Sequence, residues 1–141
     1  MSIIQDVSFA GPLGQQLAGK LHLPQGSYRG AAIFAHCFTC SKETLAASRI
    51  AAGLARAGLA VLRFDFTGLG RSEGAFSDSS FASNIEDLKA AAQFMAAEKF
   101  GTHSLAPHLL IGHSLGGAAV LVAASEIGTI SAVATIGAPS F

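Results

Sequence analysis

Tryptophan is absent from the 141 residues, tyrosine occurs once, cysteine twice, and charged side chains make up only 13%. Each scarcity excludes something. Two cysteines are too few for a disulfide-stapled scaffold, which fits a reducing compartment, so a cytoplasmic location is expected. Nine Lys plus Arg balance nine Asp plus Glu, leaving no basic footprint for nucleic acid or for an anionic membrane surface. The longest apolar runs, such as residues 117–124, fall well short of the roughly 18 residues that span a bilayer. The opening MSIIQDVSFA has no basic-then-apolar leader pattern. What is abundant is apolar surface: half of the residues are hydrophobic, enough to build the core of one domain over residues 1–141 and to exclude disorder as the main state.

Period and punctuation place the elements. Residues 3–9 and 15–23 read as short strands on either side of Gly11-Pro12-Leu13-Gly14, turn chemistry that predicts an antiparallel hairpin. After Pro24-Gln25-Gly26-Ser27 the pattern changes. Residues 31–35 (AAIFA), 59–64 (LAVLRF), 109–112 (LLIG) and 132–137 (AVATIG) are nearly unbroken apolar runs, as expected of parallel strands covered on both faces. Helical stripes lie between them. Ala47, Ile50, Ala51 and Leu54 fall at i, i+3, i+4 and i+7, with Gly58 placed to end the helix. Phe81, Ile85, Leu88, Ala92 and Met95 form a second stripe, with Glu86, Asp87 and Lys89 assigned to its solvent side. A third helix is predicted over residues 114–126, closed by Gly128. This alternation predicts an α/β fold: a mainly parallel sheet with helices on both faces and an N-terminal hairpin, its sites at the carboxyl ends of the strands.

Gly112-His113-Ser114-Leu115-Gly116 has the G-x-S-x-G spacing of a nucleophile elbow. The turn from strand to helix brings two backbones together, so side chains two residues before and after the serine would collide, and glycine removes them. The pattern alone is weak in a chain with 16 glycines. Its setting strengthens it, because a buried strand precedes it and an apolar helix follows. Acyl transfer also needs two backbone N–H groups aimed at the developing oxyanion, one from the residue after the nucleophile and one from the first strand-to-helix loop. Leu115 and Phe38, the latter in His36-Cys37-Phe38-Thr39-Cys40-Ser41-Lys42, are the candidates. The plainer reading of that loop is a turn into a helix capped by Ser41. The glycine-rich segment 64–74 (FDFTGLGRSEG) lacks both the P-loop lysine and the G-x-G-x-x-G spacing, which argues against nucleotide.

Together, HCFTCSK, RFDFTGLGRSEG, LLIGHSLGGAAV and ATIGAPS resemble the α/β hydrolases, over nearly the whole chain. They are similar in particular to the hydrolase part of bacterial proteins that join such a domain to an OsmC-type domain. The first-loop motif of the wider family begins His-Gly, where this sequence has Cys37. The resemblance implies a serine nucleophile at Ser114, oxyanion donors at Phe38 and Leu115, and supporting roles for His36, Asp65 and the glycine loop. It also implies a small acyl substrate and an OsmC-type domain as a possible partner, with no cofactor and no metal.

No histidine follows Ser114, and Glu126 is the only carboxylate after it, although a hydrolase triad runs serine, acid, histidine in chain order. A serine hydroxyl without a base is a poor nucleophile, so the sequence as given is expected to have little turnover and to be the front part of a longer hydrolase. Neither His36 nor His113 is expected to substitute as the base: an elbow points successive side chains in different directions, which turns His113 away from Ser114, and the resemblance implies a loop-supporting role for His36; His22, His103 and His108 read as surface or loop residues. Two other functions compete: a non-catalytic docking module on a hydrolase scaffold, and thiol redox chemistry at the C-x-x-C pair Cys37 and Cys40. Thiol titration before and after mild oxidation is expected to show no reversible loss of two thiols, and such a loss would establish the redox reading.

Overall fold

The structure, a computed structural model, describes residues 3–36, 45–74 and 80–137. The hairpin forms as expected: β1 (Ile4–Ala10) pairs antiparallel with β2 (Gln16–His22). The apolar runs become β3 (Gly30–Ala35), β4 (Leu59–Phe64), β7 (Leu109–His113) and β8 (Ala132–Ile136). They join in a six-stranded sheet of order β1-β2-β4-β3-β7-β8, parallel from β4 to β8. Two-residue strands β5 (Lys99–Phe100) and β6 (His103–Ser104) make a small separate hairpin that no sequence pattern announces, being shorter than any periodicity.

The helices cover both faces. α1 (Leu45–Arg56) lays Ala47 and Ala51 against Phe34, Val61 and Ile111 on one face, and Gly58 takes a left-handed φ of 99° just after it. α2 (Phe81–Ala97) and α3 (Leu115–Ala123) pack on the other face over Ile33, Leu62, Phe64 and Leu110. With no tryptophan, phenylalanine fills the large volumes. The Phe64 ring meets Phe9 edge-on at 5.7 Å and Phe66 at 5.1 Å, while Phe94 of α2 stacks on Phe9 at 5.0 Å. Such pairs contribute about 0.5–1.5 kcal/mol each beyond the area they bury. No helix among the described residues is long and apolar enough to cross a membrane.

Three expectations need correction. α3 stops at Ala123 and gives way to a 3-10 turn (Ala124–Glu126), so Gly128 does not close the helix directly. Asp87 is not on the solvent side of α2 but buried, because its carboxylate is taken up by hydrogen bonds inside the fold. His22 is not a surface residue either. It is fully buried under the α1 face, where Arg63 Nε donates to its Nε2 at 2.8 Å. His103 and His108 are exposed as expected.

The His22 environment generates a pH dependence. Burial first, and then the nearby positive charges of Arg63 and Lys20, lower its pKa from 6.5 to about 4. The unfolded chain therefore binds this proton more readily than the folded one, and the stability tied to the neutral ring is full above pH 6.5 and is lost as pH falls toward 4. Urea unfolding at pH 7 and pH 4.5 is expected to show a loss of about 2 kcal/mol from this group. His22→Gln, which keeps an acceptor for the Arg63 N–H, is expected to remove most of that difference.

Candidate active site

Among the described residues Ser114 is the one non-glycine with positive φ, at φ 58° and ψ −121°. An L-residue held there stores on the order of 1–3 kcal/mol, which the surroundings must enforce. Enforcement comes from both sides of the turn. Ser114 N–H donates to Ile136 O at 2.8 Å, extending the β7–β8 ladder by one residue, and Gly117 N–H donates to Ser114 O at 2.9 Å as α3 begins. A Cβ on Gly112 would lie closer than 3.0 Å to Gly116 O and to Gly117, and a Cβ on Gly116 equally close to Ala35 O and His36 O. The glycine spacing thus lets α3 start against the ends of β7 and β3. Ser114 is the N-cap of α3, yet its side chain makes no capping bond. Leu115 is the first helical residue, and its N–H has no intrahelical acceptor. Phe38, the other candidate donor, lies outside the described residues, as do Cys37, Cys40 and Ser41.

The supporting residues form a fixed platform at the carboxyl ends of β3 and β4. His36 is buried, and its Nε2 accepts the Phe66 N–H at 3.2 Å while its ring lies 5.0 Å from that of Phe66. A neutral imidazole accepting at Nε2 carries its proton on Nδ1, so the Nε2 lone pair is already committed. Nε2 is 3.9 Å from Asp65 Oδ1, a contact by proximity and not a shared proton. Asp65 is buried beneath Gly70, whose Cβ would strike the carboxylate, and its Oδ2 accepts the Arg71 N–H at 3.0 Å. Residues 65–74 are further tied to β2 through Glu73 N–H to Gln16 O at 2.8 Å and Ala18 N–H to Ser72 Oγ at 2.9 Å. Asp87 completes the platform, Oδ2 accepting the Thr67 N–H at 2.8 Å and Oδ1 the Thr67 hydroxyl at 2.9 Å. Burial pushes the Asp87 carboxyl up from its ordinary range, with both Thr67 hydrogen bonds opposing the shift.

Sequence reading missed Asp87 and Thr67. The available signal was a polar pair, Asn84 and Asp87, set three apart inside an apolar helix stripe. His113 continues β7 beside Ile136, and strand alternation from Ile111 turns it to the α1 face. No hydrogen bond joins it to Ser114 among the described residues. Glu126 lies in the 3-10 turn beyond the far end of α3, twelve residues and on the order of 18 Å of helix from Ser114, where it meets Lys89 at 3.5 Å. A groove of about 250 Å³ lined by Lys89, Gln93, Glu126, Ile127 and Thr129 lies at that same far end.

A strained serine between a parallel strand and a helix, in this sheet order, defines an α/β hydrolase. Residues 26–140 match the family described as serine aminopeptidase, S33, and the chain belongs to that family. Among solved structures it is similar to the esterase domain of a Rhodothermus marinus protein, at 48% identity and a TM-score of 0.76, over 97% of this chain and 51% of that one. A hypothetical protein from Pseudomonas aeruginosa shows 27% identity and a TM-score of 0.82 over 95% of this chain and 42% of its own. An α/β serine hydrolase without a lid from Xanthomonas campestris, at 24% identity, shares the fold with a TM-score of 0.81 over 96% of this chain and 62% of its own. The chain therefore spans about half the length of these structures. No curated protein matches it.

The glycine pair yields a contrast. Gly116→Ala is expected to cost at least about 3 kcal/mol in urea unfolding, because rigid backbone carbonyls face the new methyl. Gly53→Ala in α1, where the nearest atom is the end of Arg56 at 3.6 Å, is expected to gain about 0.5–1 kcal/mol.

Proposed function

We propose that this chain carries the nucleophile and oxyanion half of a serine hydrolase that cleaves a small ester, thioester or amide through an acyl-enzyme at Ser114. The observation that carries the reading is the backbone of Ser114, held at positive φ at the head of α3 with its side chain unused in capping. In this mechanism Ser114 Oγ attacks the acyl carbon and loses its proton to a base. The carbonyl oxygen becomes an oxyanion and receives the N–H groups of Leu115 and Phe38. Collapse of the tetrahedral species expels the alcohol, thiol or amine, which takes up the proton, and water then releases the acid by the reverse sequence. One oxyanion donor of this kind is worth about 3–4 kcal/mol in kcat.

The base and its orienting acid are assigned to a longer natural protein, since the Nε2 of His36 is committed to Phe66 and Glu126 sits at the wrong end of α3. An ester is favoured over an amide by the likeness to a structure described as an esterase domain at 48% identity. The association with an OsmC-type domain rests on the sequence resemblance and belongs to the same proposal.

In the full-length natural protein, a fluorophosphonate probe is expected to label Ser114, and Ser114→Ala is expected to abolish labelling and lower ester hydrolysis at least about a thousandfold. An unreactive wild-type protein would sink the proposal, as would equal labelling of the variant.

A further inference from the structure

We propose that the first turns of α2 hold an ordered water through the side-chain amide of Asn84. Asn84 is fully buried, yet among the described residues neither its Oδ1 nor its Nδ2 has a hydrogen-bond partner. Buried side-chain polar atoms are met by protein or by water in the large majority of cases, and an amide deprived of both its donor and its acceptor bonds is strongly unfavourable.

Position decides what can meet it. α2 connects β4 to β7, two strands that both lie parallel to β3 in one sheet, so it begins near their carboxyl ends and runs back along the face. Asp87 of α2 binds Thr67, three residues beyond the end of β4 at Phe64. Asn84 precedes Asp87 by three residues, about 4.5 Å along the helix axis. It therefore lies beyond the strand ends, at the depth of the loops that follow them.

The neighbouring polar groups of α2 are already engaged. Asn84 N–H donates to Ser80 O at 2.9 Å. Ser80 and Ser83 close on one another, with Ser83 N–H donating to Ser80 Oγ at 3.0 Å and Ser80 N–H to Ser83 Oγ at 2.7 Å. Both carboxylate oxygens of Asp87 are taken by Thr67. Ile85 and Leu88, buried beside it on α2, offer no polar atom. A buried side-chain amide closed to bulk solvent, with neither its donor nor its acceptor met among the described residues, is one that retains a water molecule, which supplies the missing partners. Such a water fixes the start of α2 at the carboxyl edge of the sheet. Complete burial excludes a substrate as the occupant.

The test does not use Ser114 chemistry, so its outcome is separate from that of the hydrolase reading. In the full-length protein labelled with nitrogen-15, the side-chain amide protons of Asn84 are expected to show cross-relaxation with a long-lived bound water. Asn84→Leu, similar in volume but without polar atoms, is expected to lose that signal and to lower the thermal midpoint by about 4 °C or more, because the bridged group loses its partner. A raised midpoint in Asn84→Leu would overturn the proposal, as would a wild-type amide without water cross-relaxation. If Asn84→Leu does not fold, the wild-type water signal decides alone.

Discussion

The close approach of α3 to the end of β3 is the constraint on which the site depends. Gly116 sits against the carbonyl oxygens of Ala35 and His36 with no room for a methyl group. That contact fixes where the helix can begin. With β7 ending at His113 and α3 starting at Leu115, a single residue must reverse the chain, and Ser114 does so in a conformation most L-residues avoid. The strain at the serine thus follows from packing two backbones at glycine distance, and the neighbouring strands hold it in place.

The second support is the loop after β4. Its amide groups are drawn inward: those of Asp65 and Glu73 donate to β2, that of Thr67 to Asp87 of α2 and that of Phe66 to the ring of His36. Asp65 is buried and accepts a backbone N–H inside the same loop, so the segment behaves as part of the sheet edge. This bears on chemistry. His36 looks like a base when only its distance in sequence from the end of a strand is considered. Its Nε2 accepts the Phe66 N–H, which makes it a brace between the end of β3 and the loop after β4.

Most of the fold was legible because its signals are long. Four apolar runs, two amphipathic stripes and one glycine-bracketed serine each span enough residues for periodicity to speak, and every one of those strands and helices forms. What escaped was decided by tertiary partners. Asp87 reads as solvent-facing by its charge, but Thr67, twenty residues earlier, draws it inward. His22 reads as a loop residue until β2 is paired with β4 and Arg63 is brought to its ring. The β5–β6 hairpin has two residues per strand and so no period at all. At the site, the G-x-S-x-G spacing identified the turn, while the commitment of His36 depended on the Phe66 N–H, which no local pattern contains.

The outermost strand completes the argument about the helix terminus. β8 is exposed along most of its length, and it contributes little apolar burial. It nevertheless takes the Ser114 N–H onto Ile136 O. That bond removes the serine amide from the set of open donors at the head of α3, since an N–H engaged in a sheet ladder cannot also turn to a ligand. The next N–H without an intrahelical acceptor is then that of Leu115, one residue further along. A helix without such a partner strand would present its first amides indiscriminately to any anion. Here the sheet takes up the first of them, so the pairing of an exposed edge strand decides that the Ser114 amide belongs to the ladder and not to the helix head.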